Sequence, residues 1–385
     1  MSIDDFKKEF SSREGIHFNN AGRSPISRTV SERVMGLVSD AVIRGSLTDH
    51  ELVESLGVAR KNLAQFVGAE PDCVAYTANT ASGLSQAALG FPLTSSDEVV
   101  VLDQEYASNF YPWKVACERS GAKFTVISSG ESGSVEFASG GALSGKIYNA
   151  IKPGVKIVAV SWVQFQTGAI LDLQEIGEKA HSVGAYLVVD VIQGLGQLPF
   201  SLRDLPVDFI AGGSHKWMCG ILGQGFLAGK KEFLNLLSPT LIGCGTFNRF
   251  GNFADLSAPM EASARKFEPG GFAFMPLLAL DSAVSVLSQA GMEEVSGEIF
   301  QLSCILRRGL VEMEPRGLKL ISSIDQRCGI TSFKLPLEAE LKLLHACRDS
   351  NVALAKRGEF IRVSLHAFCN EDEIERFLGI LRECL

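Results

Sequence analysis

This chain of 385 residues lacks most of the features that would send it to a membrane, a nucleic acid or a metal. No window offers the roughly 18 uninterrupted apolar residues that a membrane-crossing helix needs. The stretch Met1–Gly15 is polar and charged, without the apolar core of a signal peptide. No basic cluster stands out, and the net charge of -8 with a pI near 5.4 leaves no electrostatic footprint for nucleic acid or an anionic surface. Nine cysteines are scattered singly, with no C-x-x-C pair and no His/Cys cluster of zinc-site spacing, so no metal site is expected. Unpaired thiols at this frequency suit a reducing compartment, and a cytoplasmic location is the expectation. A dinucleotide fold is also disfavoured. The string Gly194–Gln197 is glycine-rich, but no G-x-G-x-x-G follows the first strand with an acid about 20 residues later.

What is present is a globular composition, 46% hydrophobic and 21% charged, long enough for one large or two medium domains. Short apolar, β-branched runs at Glu98–Leu102, Lys156–Val160, Ala185–Val189 and Asp208–Ala211 read as buried strands. Amphipathic stretches such as Val53–Val67 and Leu173–Val183 separate them. Alternation of this kind predicts an α/β fold with a mostly parallel sheet covered on both faces. The last hundred residues read as a smaller α+β unit. It has helices from Leu277 and Val295, strands at Lys319–Ile321, Ile330–Lys334 and Phe360–Ser364, and a closing helix Glu371–Leu385. The expected division is a large domain over residues 16–280 and a small one over 281–385 joined by residues 1–15.

Four local patterns carry chemistry. In Asp208–Gly225 a strand ends in glycines and runs into Ser214, His215, Lys216 and Trp217. Lysine at the carboxyl end of a strand faces the crevice where open sheets bind ligands, although a lone lysine is also an ordinary surface residue. In Tyr186–Gln193, Asp190 closes an apolar strand, where a carboxylate needs a positive partner: a salt bridge, or a protonated ring nitrogen. In Tyr76–Gly83 a hydroxyl-rich segment opens a helix, and free N–H groups there suit a phosphate as well as a simple cap. In Asp103–Trp113, Tyr106 follows a strand and can stack on a ring or pack in a core.

Taken in order, these patterns resemble the class V aminotransferase group of fold-type I pyridoxal-phosphate (PLP) enzymes, which includes cysteine desulfurases. The resemblance runs from Phe18–Gly22 to Ile361–Leu365. It implies a seven-stranded-type, mostly parallel sheet between helices, a smaller α+β C-terminal domain, PLP as cofactor, a small amino-acid substrate and a homodimer. Lys216 then bears the cofactor covalently and shuttles the substrate α-proton. Thr80, Ala81, Ser214 and His215 hold the phosphate, Asp190 meets the ring nitrogen, Gln193 the ring oxygen, and Tyr106 stacks on the ring. Arg362 clamps the substrate α-carboxylate, whose geometry its fork matches, with Asn20 and Gln164 on the substrate side.

The chain departs from the desulfurases in three places. Val352–Arg362, where they carry a nucleophilic cysteine, has none; Cys347 and Cys369 lie to either side and read as structural. Gly213 stands where many have a serine. Gly271 ends Lys266–Gly271 where a threonine often reaches the partner's phosphate, which leaves that contact open. The expected activity is therefore transamination. The alternatives are β-elimination at a C–S bond or a desulfurase-like reaction without the loop cysteine. Racemisation ranks third, for want of a second acid/base. A non-catalytic binding module is disfavoured because Lys216, Asp190 and Arg362 are all present.

Overall fold

The computed structural model describes residues 1–45, 49–130, 139–248, 254–271 and 273–385. Its centre is a seven-stranded sheet built from β1 (Val74–Thr77), β2 (Glu98–Leu102), β3 (Lys123–Ile127), β4 (Val155–Ser161), β5 (Tyr186–Asp190), β6 (Phe209–Gly213) and β7 (Gly225–Gly229). The spatial order is β1-β7-β6-β5-β4-β2-β3. β7 runs antiparallel to both of its neighbours, and every other pair is parallel. Alternate residues of the central strands feed two cores. On β4, Ile157 and Ala159 pack to one face, and Val158 and Val160 to the other. Burial on both faces is why these strands read as unbroken apolar runs.

The second sheet is smaller and antiparallel throughout. β8 (Lys319–Leu320), β9 (Ile330–Lys334), β10 (Ala355–Arg357) and β11 (Phe360–Ser364) lie in the order β10-β11-β9-β8. The N-terminal segment joins these C-terminal elements: Ile16–His17 pairs in parallel with Val352–Ala353, and Asn19 bridges Ser364. Residue 280 falls inside a continuous helix, Phe274–Ala290, that borders both regions. No single helix among the described residues is long and apolar enough to cross a membrane. The bent pair Phe274–Ala290 and Met292–Val311 reaches that length and composition only together, across an 80° break.

The carboxyl ends of the parallel strands share one edge. In register, Ser161 at the end of β4 sits beside Asp190 at the end of β5, and Asp190 beside Ala211 of β6. Two close approaches tie the helix Thr80–Gly90 to this edge. A Cβ on Gly83 would lie 2.9 Å from the Ala211 side chain, and one on Gly225 would lie 2.6 Å from the Asn79 backbone. Both positions therefore hold glycine.

Arg307, on the helix Met292–Val311, is fully buried with no carboxylate partner among the described residues. It donates instead to the Thr331 hydroxyl at 3.2 Å and to the carbonyls of Ile324 (3.1 Å), Gln326 (2.5 Å) and Cys328 (2.6 Å). The turn it gathers reaches the large sheet's side, because Ser322 Oγ and Gln326 Nε2 both donate to the Thr167 carbonyl. Arg307→Met keeps most of the volume and strands these acceptors. It should cost about 3 kcal/mol or more, read as a lower denaturant midpoint; an unmoved midpoint would show that the turn holds without it.

Candidate active site

A cavity of about 320 Å³ opens at the shared strand edge, lined among others by Thr80, Ala81, Tyr106, Asp190, Gln193, His215, Lys216 and Arg362. Residues from five separate stretches of the sequence converge here, and each is placed by a local rule. Asp190 ends β5 and spends Oδ1 on the Ile192 N–H at 2.9 Å, which turns the chain out of the sheet. Lys216 follows β6 on a turn closed by Cys219 N–H donating to the Lys216 carbonyl. Asn79 caps the helix Thr80–Gly90 by accepting from the Ser82 N–H at 2.8 Å, leaving the first N–H groups, on Thr80 and Ala81, beside the cavity.

Burial dominates the electrostatics. It pushes the Asp190 carboxyl up to about 7, against the pull of the Ile192 N–H and of Lys216. It pushes the Lys216 amine down to about 8; Asp190 opposes that shift, and Arg362 and Arg357 add to it. His215 is lowered to about 4 by burial and by the nearby Lys216 and Arg23 charges. Arg362, almost wholly buried on β11, is lowered to about 9. Its fork donates to the Phe165 carbonyl at 2.7 Å and to Asn19 Oδ1 at 3.4 Å, while Nε is buried without a partner. Thr80 Oγ1 is likewise buried and unpartnered. The aromatic ring of Tyr106 stands 5.7 Å from Lys216 Nζ, centroid to nitrogen, and packs edge-on against Phe165.

Three of the residues expected at the site turn elsewhere. Ser214 is fully buried and donates its hydroxyl to the Ile221 carbonyl at 2.7 Å, shaping the turn that carries Lys216. Asn20 is spent on the N-terminal bridge, donating to the Ser364 carbonyl and accepting from Ser24 Oγ; its neighbour Asn19 is the one that meets Arg362. Gln164 points behind the sheet edge, donating to Glu105 and to the Ser161 carbonyl. Gln193 lines the cavity, but its amide oxygen accepts from Trp217 Nε1 at 2.8 Å and its nitrogen donates to the Ala21 carbonyl at 3.0 Å, so one N–H is left.

The sequence reading missed Glu105, Phe165, Asn19 and Arg357. Glu105 is a fully buried carboxylate that collects the Ser161 N–H and hydroxyl, Asn109 Nδ2 and Gln164 Nε2, and its charge reaches Asp190. Its one sequence signal was an acid directly before Tyr106, three residues past an apolar strand. Gly213 is explained as well: a Cβ there would come within 3.1 Å of Thr80 Oγ1.

These groups fit pyridoxal phosphate. The orphaned Thr80 hydroxyl and the helix N-terminus suit a phosphate. A buried carboxylate with a raised pKa suits a ring N–H⁺, and a lysine with a lowered pKa suits covalent attachment. Because the lowered pKa leaves the amine neutral above about pH 8, competitive labelling of Lys216 in the apoprotein should titrate near pH 8 rather than near the ordinary lysine value of 10.5. Asp190→Asn removes the one charge that raises that pKa, so the midpoint should fall further. A midpoint near 10.5 in the parent protein would mean a solvated amine.

A family model described as aminotransferase class-V matches residues 16–377. The chain is 28% identical over 400 residues to a probable cysteine desulfurase of Pyrococcus abyssi (strain GE5 / Orsay), covering 96% of this chain and 94% of that one. It is 26% identical to an isopenicillin N epimerase of Streptomyces clavuligerus, covering 95% and 94%. Its fold matches the cystine C-S lyase C-DES in complex with its product cysteine persulfide at a TM-score of 0.88, with 20% identity over 97% of this chain and 98% of that one.

Proposed function

The chain belongs to the aminotransferase class-V family and is a pyridoxal-phosphate-dependent enzyme, and from that premise we propose that it is a carbon–sulfur lyase acting by β-elimination on a sulfur-bearing α-amino acid. One observation carries this reading. Relatives of the chain are named for cysteine desulfuration, yet none of its nine cysteines lines the cavity. Cys328, Cys347 and Cys369 are buried, and the stretch leading to Arg362 is a tight β10–β11 hairpin without a thiol. A sulfur relay through a protein cysteine has no carrier here, whereas elimination at Cβ needs none.

Thr80, Ala81 and His215 would hold the phosphate, Asp190 the ring nitrogen, the remaining Gln193 N–H the ring oxygen, and Tyr106 the ring face. When bound, the cofactor supplies the electron sink for charge developing at the substrate Cα. Arg362 fixes the α-carboxylate with its paired donors and so orients the Cα–H bond. The Lys216 amine, held near neutrality by burial, takes the α-proton and can return it to the departing sulfur. Asp190 balances the positive charge gathered around it in a site shielded from water. Transamination, which the sequence placed first, uses the same residues and differs only in what leaves and what returns.

A homodimer and a cytoplasmic location belong to the same proposal. Leu241 and Ile242 are exposed beside the Gly270–Gly271 turn, where the family resemblance puts a partner subunit, and all nine thiols are unpaired. The test is a product balance. Incubation of the holoenzyme with L-cysteine or L-cystine, without a keto acid, should give pyruvate and ammonia in equal amounts together with sulfide or a persulfide, and no alanine. Alanine would mean desulfuration; conversion only with an added keto acid would mean transamination. Lys216→Ala should lose the covalently attached chromophore and at least about 1,000-fold in rate.

A further inference from the structure

We propose that Glu105 is a positioning residue for the cofactor, and that its ionised carboxylate, acting through Asp190, holds a proton on the ring nitrogen. The inference rests on the placing of Asp190 against that nitrogen. Glu105 lies three residues past β2 and leads into the helix Ala107–Ser120. Its side chain reaches the end of β4, where it accepts from the Ser161 N–H at 2.8 Å and from the Ser161 hydroxyl at 2.5 Å. Ser161 stands beside Asp190 in the β4–β5 register, so one residue ties the two buried carboxylates to adjoining strand ends.

Three features mark Glu105 as an anion. Each of its oxygens accepts from two donors: Oε1 from Ser161 N and Gln164 Nε2, and Oε2 from Ser161 Oγ and Asn109 Nδ2. A carboxylate accommodates all four, whereas a protonated acid has to give one up. The two amides are also turned nitrogen-first at a cost, because Asn109 Oδ1 and Gln164 Oε1 are left buried without a partner. And Glu105 stands just before the first turn of a 14-residue helix, whose dipole favours negative charge. Burial pushes its carboxyl above the ordinary value, and the four donors oppose that push.

All four donors are neutral, and among the described residues no lysine or arginine forms an ion pair with Glu105. Its charge is therefore not cancelled where it sits, and it reaches Asp190. Two charged groups act there: Lys216 favours the ionised form of Asp190, and Glu105 opposes it. A negative neighbour raises the pH at which a proton shared between Asp190 and the ring nitrogen is lost. The cofactor's own phosphate, at the start of the helix Thr80–Gly90, adds to the same field but is common to parent and variants.

The holoenzyme is loaded with cofactor labelled at the ring nitrogen, and the NMR shift of that nitrogen is followed against pH. Glu105→Gln keeps the shape and removes the charge, and the Asn109 amide can turn over to offer its spare oxygen. The midpoint at which the ring nitrogen loses its proton should fall by roughly one pH unit or more. Gln164→Lys leaves Glu105 in place and sets an ammonium against it, so the midpoint should fall there too, whether or not Glu105→Gln folds. A residue that only braced the site would change cofactor affinity and leave the midpoint where it was. An unmoved midpoint in either variant that folds overturns the proposal. Asp190→Asn separates the premise from the inference. A midpoint lowered by Asp190→Asn but not by Glu105→Gln sinks the role of Glu105 alone; one lowered by neither sinks the placing of Asp190 with it.

Discussion

Lys216 is held in place by its neighbour in the chain. Trp217 is fully buried, and its side chain and backbone are fixed from four directions. Its indole N–H donates to Gln193 Oε1, its carbonyl meets His366 Nε2 at 2.9 Å, and its ring stacks on that imidazole. Two glycines make the approach possible. A Cβ on Gly196, where φ is +97°, would strike the Trp217 carbonyl at 2.5 Å, and one on Gly329 would strike the indole at 2.7 Å. Gly196 belongs to the loop after β5 and Gly329 to the approach to β9, so the large and small sheets both grip the residue. A long, flexible lysine side chain is an imprecise tool unless its backbone is rigid, and Trp217 supplies that rigidity. It does so at a cost to the imidazole: His366 is buried, held neutral, and lowered to about 4.

From that fixed point the electrostatics follow. Lys216 projects into a space where burial has already disfavoured its charge, next to a carboxylate whose charge is disfavoured for the same reason. Each stabilises the other's ionised form, so the pair sits near neutrality and changes state at small cost. Glu105 sets the negative side from behind. Four donors aimed at one carboxylate favour its ionised form, while burial opposes it. Its field in turn raises Asp190, which makes Asp190 a stronger partner for a ring N–H⁺. The same network fixes Gln164 and Ser161 behind Asp190, so the floor of the site is a wired support.

Much of this was legible in the sequence, and the failures have physical causes. The central strands announced themselves because both faces are buried, and Ile330–Lys334 and Phe360–Ser364 were read to the residue. β7 was missed because Gly225–Gly229 has glycine at both ends, where the helix Thr80–Gly90 and the helix Lys231–Leu236 press in, and so shows little of a strand's signature. β3 was missed because it is an edge strand with polar and exposed positions. Lys216, Asp190, Thr80 and Arg362 line one cavity, as expected, because strand ends and helix starts fix where such residues point. Ser214 and Gln164 are taken up by the turns they shape, and Asn20 faces away because one step along an extended chain reverses the side chain. Asn19 reaches Arg362, and Asn20 beside it cannot. Arg357 carried no local signal, since only the hairpin register brings it to the cavity.

The hairpin that ends at Arg362 is closed and carries no thiol. A cysteine that accepts sulfur from a bound substrate and hands it on has to travel, and travel needs a loop with slack. Here the segment between Val352 and Ser364 is taken up by three strand pairings, with Ile16–His17 on one side, within the hairpin, and with β9 on the other. The turn at Gly358 leaves no residues over. Chain that would have been mobile is instead committed to register, and the register is what brings the second guanidinium to the cavity. The same rigid hairpin puts Arg357 and Arg362, and no thiol, on the cavity wall.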